Sequence, residues 1–151
     1  VGEIDVGFKF VGRFQHNLDD KSRLTIPSRL REGLGSPFYA TVGLEKSIVL
    51  YSLQEWEKIS EQLQQLPMTN RDARAFNRLF FSGAIECEPD KQGRVLLPLH
   101  LIKHAGLKKE AMIVGVLDRV EIWSLEGWEK YEEEKFGIYE DVAENISSAG
   151  N

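Results

Sequence analysis

Apolar positions along the chain follow one scheme twice. Leu24 and Ile26 alternate with polar neighbours, as do Val95 and Leu97, which predicts two short half-buried strands. Pro27 and Pro98 end them, because proline cannot donate to a ladder. A strand precedes each, Phe10–His16 or Ser82–Glu88, across a polar turn at Asp19–Ser22 or Asp90–Gly93. A short helix follows, Ser28–Gly33 or Leu99–Ala105, closed near Gly35 or Gly106. Two more strands come next: Phe38–Val42 with Ser47–Tyr51, and Ala111–Val116 with Val120–Trp123. An amphipathic helix completes each copy. In the first, Leu53, Trp56, Ile59, Leu63 and Leu66 make one apolar face, and Ser52 and Glu55 have capping-box spacing.

The repetition extends to particular residues. Gly12, Asp19, Arg23 and Pro27 meet Gly83, Asp90, Arg94 and Pro98 at an offset of 71, as Gly35 meets Gly106. Gly43 meets Gly115 at 72, and Tyr51–Lys58 meets Trp123–Lys130 at that same offset. Residues 10–68 and 82–136 are therefore read as two copies of one unit. Residues 1–9 form an N-terminal extension, 69–81 a connecting helix and 137–151 an acidic C-terminal tail, helical or frayed. The connecting helix puts Ala75, Phe76, Leu79 and Phe80 on one side, an apolar surplus that suits a subunit contact as well as a core. A unit of roughly 55–60 residues is marginal alone. The expected fold is thus α+β, one pseudo-twofold domain in which the copies close each other's sheet.

Charge is divided unevenly. The net charge is −5, but residues 121–151 hold nine acids and two lysines, a segment of −7, which leaves +2 on residues 1–120. Lys9, Arg13, Lys21, Arg23, Arg29 and Arg31 crowd residues 9–31 against Asp19 and Asp20. A phosphate-binding face needs such local positive charge and not a basic whole; clustered surface arginines that are merely solvated give the same pattern. Cys87 is the only cysteine, so no intrachain disulfide forms, and a reducing cytoplasm is expected. No apolar run is long enough to cross a bilayer, and Glu3 and Asp5 do not suit a secretory signal.

The two Asp-x-x-x-Arg turns are the candidate chemistry. An Asp at the start of a tight turn accepts backbone N–H bonds, and Gly93 near its end suits a positive φ. Arg23 and Arg94 would project five-donor forks fitted to phosphate or to a guanine edge. Asp19 and Asp90 would orient them, and Lys21 and Lys91 would add point charge at the tips. An ion pair that only pins the turn is the plainer reading of either copy alone; two copies flanked by extra Lys and Arg favour binding.

These residues closely resemble the MraZ family. Gly83–Glu88, Asp90–Arg94 and Leu97-Pro98 match its second repeat. Phe10-x-Gly12, His16-x-Leu18-Asp19-x-Lys21-x-Arg23 and Ile26-Pro27 match its first, and Val114-Gly115, Val120–Trp123 and Trp128 its later strand and helix. The resemblance implies a tandem AbrB-like swapped-hairpin double-split β-barrel with flanking helices, assembled into a ring-shaped homo-oligomer. It implies a nucleoid-associated regulator, itself autoregulated, that binds repeated elements of double-stranded promoter DNA upstream of the division and cell-wall gene cluster. The DNA-binding set carried over is Arg13, Lys21, Arg23, Arg29, Lys91 and Arg94, with Asp19 and Asp90 orienting. Ser22 departs from the family's usual glycine, and costs ~1 kcal/mol if that position needs positive φ.

Other chemistries find little support. His100 and His104 lie four apart on a short helix, with Cys87 or Glu86 as the candidate third ligand, but a lone pair at this spacing is weak evidence for a metal. No phosphate loop, nucleophile elbow or nucleophile–base–orienter set is present. No cofactor, small-molecule substrate or membrane partner is expected. An antitoxin-like interaction module is the rival reading, in which the acidic tail mimics nucleic acid and is disordered when free.

Overall fold

Strand edges decide the architecture. The computed structural model describes residues 7–149, and the outermost residues, including most of the 1–9 extension, lie outside it. In chain order the elements are β1 (Arg13–Asn17), β2 (Arg23–Thr25), α1 (Ser28–Leu34), β3 (Phe38–Val42), β4 (Ile48–Ser52), α2 (Leu53–Gln64) and α3 (Arg71–Ser82). The second copy continues with β5 (Ile85–Cys87), β6 (Arg94–Leu96), α4 (Leu99–Ala105), β7 (Glu110–Val116), β8 (Arg119–Ser124), α5 (Leu125–Phe136) and α6 (Tyr139–Ala149). The first strand of each copy is shorter than its sequence suggests. Before β1, the chain keeps one bridge, Phe10 to Leu117. Before β5, Ser82 finishes α3, and Gly83 and Ala84 make the bend.

Six strands form a mixed-origin antiparallel sheet in the order β1-β7-β8-β4-β3-β5, and β2 pairs with β6 in a separate two-stranded ribbon. The order reads the same from both ends once each element is exchanged for its repeat partner. Each copy lends its first strand to the other: β1 pairs with β7, and β5 pairs with β3. The pseudo-dyad passes through Val49↔Glu121 in the sheet and Leu24↔Val95 in the ribbon, where each residue faces its own counterpart. Register also revises one equivalence. Phe38 and Ala111 occupy matching places against Ser52 and Ser124, so β3 and β7 are offset by 73 and Gly43 is not the partner of Gly115. Gly115 is small because a Cβ there would lie 2.5 Å from the Val11 backbone nitrogen.

Period-two alternation sends Phe38, Ala40, Ile48 and Leu50 into the main core, with Ile113, Val120 and Ile122 from the other copy. Leu24, Ile26, Val95 and Leu97 close that core from the ribbon side, and Leu30, Leu34 and Leu101 from α1 and α4. The opposite sheet face carries Tyr39, Val49 and Tyr51, covered by Trp56 of α2 and Phe80 of α3. Tyr39, Trp56, Phe80 and Phe76 stack in sequence with ring centroids 4.7, 5.5 and 5.5 Å apart. Ser52 caps α2 by accepting the Glu55 N–H, as the spacing predicts, and Ser124 caps α5 in the same way through Gly127 N–H.

Because both copies contribute to one core, Ile48→Ala and Ile122→Ala should each cost about 2–5 kcal/mol. Both should shift a single cooperative urea transition, monitored by circular dichroism; separate transitions for the two halves would contradict a shared core.

Candidate nucleic-acid interface

Each turn is built around one carboxylate. In the first, Asp19 N–H donates to the Arg23 carbonyl (2.9 Å) and Ser22 N–H to the Asp19 carbonyl (3.1 Å). Asp19 Oδ1 accepts the Lys21 and Arg23 main-chain N–H groups at 2.9 and 2.8 Å, and Oδ2 accepts Arg23 Nε–H at 2.7 Å. The second turn repeats this: Asp90 Oδ1 accepts Gln92 and Arg94 N–H at 2.9 Å each, and Oδ2 accepts Arg94 Nε–H at 2.9 Å. Binding through Nε fixes the plane of each guanidinium, and Arg94 Nη2–H also donates to the Gln92 side-chain oxygen at 3.0 Å. The Arg23 main-chain bond, with the guanidinium and Lys21 bonds, holds the Asp19 carboxyl below its ordinary value; Asp90 is lowered in the same way by Arg94 and Gln92.

The ribbon brings the two turns together. Arg23 lies opposite Leu96, and Thr25 opposite Arg94, so the two arginines are diagonal neighbours about 7–8 Å apart. Arg94 Nη1 reaches to 3.9 Å from Asp19 Oδ2, linking the copies. Ile26 N–H donates to the Gly93 carbonyl and Leu97 N–H to the Ser22 carbonyl, which ties each turn to the opposite strand. With Leu24 and Val95 facing the core, Arg23, Thr25, Arg94 and Leu96 share the outer face. Both arginine side chains retain 28% exposure, and Leu96 is 64% exposed. Lys21 and Lys91 stand exposed at the two tips.

The other expected residues are placed differently. Arg29 is exposed on α1, 6.0 Å from the centroid of the Phe8 ring. Arg13 begins β1, four extended residues before Asn17 (about 13 Å), and pairs with Glu132 of α5. It is therefore not gathered with the turns. His100 and His104 do not converge on a metal position: each donates Nε2–H to a different carbonyl, Gly83 (2.9 Å) and Gly43 (3.0 Å). Burial pushes the Cys87 thiol up to about 12, far from a thiolate ligand at neutral pH. Sequence reasoning missed Leu96 and Thr25, although the alternation that buries Leu24 and Val95 already turns them outward. It also missed the role of Arg31, whose Nε–H donates to the Ile26 carbonyl at 2.8 Å while its guanidinium covers Gly93.

Ser22 and Gly93 both have positive φ, 60° and 79°. Ser22→Gly should raise stability by about 0.5 kcal/mol, and Gly93→Ala should lower it by about 1–2 kcal/mol, in chemical denaturation. The carboxylate clamps contribute fully above the unfolded Asp value, roughly 3.9, and are lost as pH falls through the lower folded values. The Arg Hε resonances of Arg23 and Arg94 should thus stay unchanged from pH 8 to 5; movement across that range would contradict the clamp.

A profile of the family described as "MraZ protein, putative antitoxin-like" matches this chain twice, over residues 10–79 and 80–147. The chain is similar to proteins named transcriptional regulator MraZ in several bacteria. It is 53% identical to that of Heliobacterium modesticaldum over 137 residues, which covers 91% of this chain and 96% of the relative. Identity is also 53% to the Pelotomaculum thermopropionicum protein, covering 91% and 94%. With the Symbiobacterium thermophilum protein it is 52%, covering 90% and 99%. The chain belongs to the MraZ family, which is a family of transcriptional regulators and not of enzymes.

Proposed function

We propose that the chain binds double-stranded promoter DNA by setting the outer face of the β2–β6 ribbon into the major groove. The observation that carries this reading is the meeting of the two clamped arginines, one from each repeat, on a single exposed ribbon. A major groove about 12 Å wide admits a two-stranded ribbon, and an arginine fork matches the O6 and N7 acceptors of guanine. Lys21 and Lys91 contact phosphates on either side, and Arg29 adds charge from α1. Arg13, engaged by Glu132, is left out of the contact set. Leu96 supplies an apolar contact suited to a thymine methyl.

The turns alone carry little net charge, since Asp19 and Asp90 offset their arginines. Strong binding then comes from several ribbons acting together on repeated elements, as in a ring-shaped homo-oligomer. In this reading the exchange of β1 and β5 between copies is the swapped-hairpin arrangement of an AbrB-like double-split barrel. The targets are repeated elements upstream of the division and cell-wall gene cluster, including the chain's own promoter, and the site of action is the nucleoid in the cytoplasm. The antitoxin-like alternative calls for a disordered acidic tail, whereas α6 is helical from Tyr139 to Ala149.

Arg23→Ala and Arg94→Ala should each weaken binding to the chain's own upstream region about 10- to 100-fold in a gel shift. Lys21→Ala should weaken all sequences alike and reduce the salt slope by about 1. Unchanged affinity and slope in all three variants would overturn the assignment. Binding to one isolated repeat as tight as to an array would overturn the multivalent part.

A further inference from the structure

The two turns share a backbone pattern but not the side chains around the arginine. At the repeat offset of 71, Lys21 corresponds to Gln92, Asp20 to Lys91 and Arg31 to Ile102. In the second turn Gln92 Oε1 accepts Arg94 Nη2–H at 3.0 Å, beside the 2.9 Å bond from Arg94 Nε–H to Asp90 Oδ2. The Arg94 guanidinium is thus held through two of its nitrogens, and its third, Nη1, lies 3.9 Å from Asp19 Oδ2. In the first turn the corresponding Lys21 offers no side-chain acceptor. Arg23 is held through Nε, and among the described residues its Nη atoms make no hydrogen bond.

The difference bears on aim. A bond at Nε sets the guanidinium plane, and a second bond at Nη2 stops the group from pivoting within that plane. The two bonds use two of the five donor hydrogens of Arg94 and leave three, enough for both acceptors of a guanine edge. Charge divides the same way. The first turn, Asp19–Arg23, is neutral, whereas the second, Asp90–Arg94, carries +1. Arg31, anchored on the Ile26 carbonyl, lays a further guanidinium against Gly93 of the second turn, while its counterpart Ile102 brings no charge to the first. A polyanion is therefore drawn to the end of the ribbon whose arginine is already fixed.

We propose that Gln92 is a positioning residue for Arg94, and that it makes the second turn the stricter base reader of the pair. This rests on the DNA contact proposed above and adds that the two repeats contribute unequally to it. Arg94 meets a base with its fork already set, so a wrong base leaves donors unpaired. Arg23 keeps the in-plane freedom that one bond allows and re-aims at the base it meets, which discriminates less. Gln92 is exposed, so the bond is contested by water and its effect is that of one ordinary hydrogen bond.

The test is a gel shift comparing the chain's own upstream region with an unrelated duplex of equal length at one salt concentration. The ratio of the two Kd values measures base reading. Gln92→Met, close in size but without the acceptor, should cut that ratio about 2- to 10-fold and leave the salt slope unchanged. Gln92→Glu keeps an acceptor; it should weaken both duplexes and preserve the ratio. In the free protein, exchange of the Arg94 guanidinium protons, followed by NMR, should quicken in Gln92→Met and not in Gln92→Glu. Arg94→Lys, which keeps the charge and loses the fork, should lower the ratio more than Arg23→Lys. An unchanged ratio in Gln92→Met, or an equal loss in Gln92→Glu, overturns the role of Gln92; the DNA contact then stands if Arg94→Ala still weakens binding. Equal losses in Arg23→Lys and Arg94→Lys overturn the inequality of the turns. Full binding by Arg94→Ala removes the DNA contact of this turn and the inference with it.

Discussion

The structure depends on a trade of first strands between its two repeats. A copy alone would leave both edges of a short sheet unpaired, and a ribbon strand of three residues has no stability by itself. Pairing β1 with β7 and β5 with β3 covers those edges, and pairing β2 with β6 closes the core from the far side. The same trade makes the two Asp-x-x-x-Arg turns neighbours. Bringing both arginines to one surface is thus a consequence of how the core is closed.

Within each turn the carboxylate serves the backbone through one oxygen and the guanidinium through the other. Folding the turn and aiming the arginine are therefore a single event, and little side-chain freedom remains to be lost on contact with a ligand. Ser22 shows that the geometry is strong enough to hold a non-glycine residue at positive φ. Gly93 is under a second constraint, because Arg31 lies where a Cβ would point.

Much of this was legible in the sequence. The alternation at Leu24–Ile26 and Val95–Leu97 located the ribbon strands, and the Asp–Arg spacing located the turns. The helix from Arg71 and the cap at Ser52 followed from periodicity and spacing. The shorter β1 and β5 were not legible, because apolar residues such as Phe10 pack into the core whether or not they lie in a ladder. Arg13 looked like its basic neighbours, since its partner Glu132 is more than a hundred residues away. The equivalence of Gly43 and Gly115 misled because two glycines can be small for unrelated reasons, and only strand register separates them.

The ribbon's outer face is twofold in its backbone but not in its side chains: Arg23 and Arg94 match, whereas Thr25 is matched by Leu96. For DNA binding as proposed, a duplex would meet a hydroxyl on one side of the axis and an isobutyl group on the other. The protein would then have a preferred orientation on the duplex, and tandem sites written in one orientation would suit it better than palindromes.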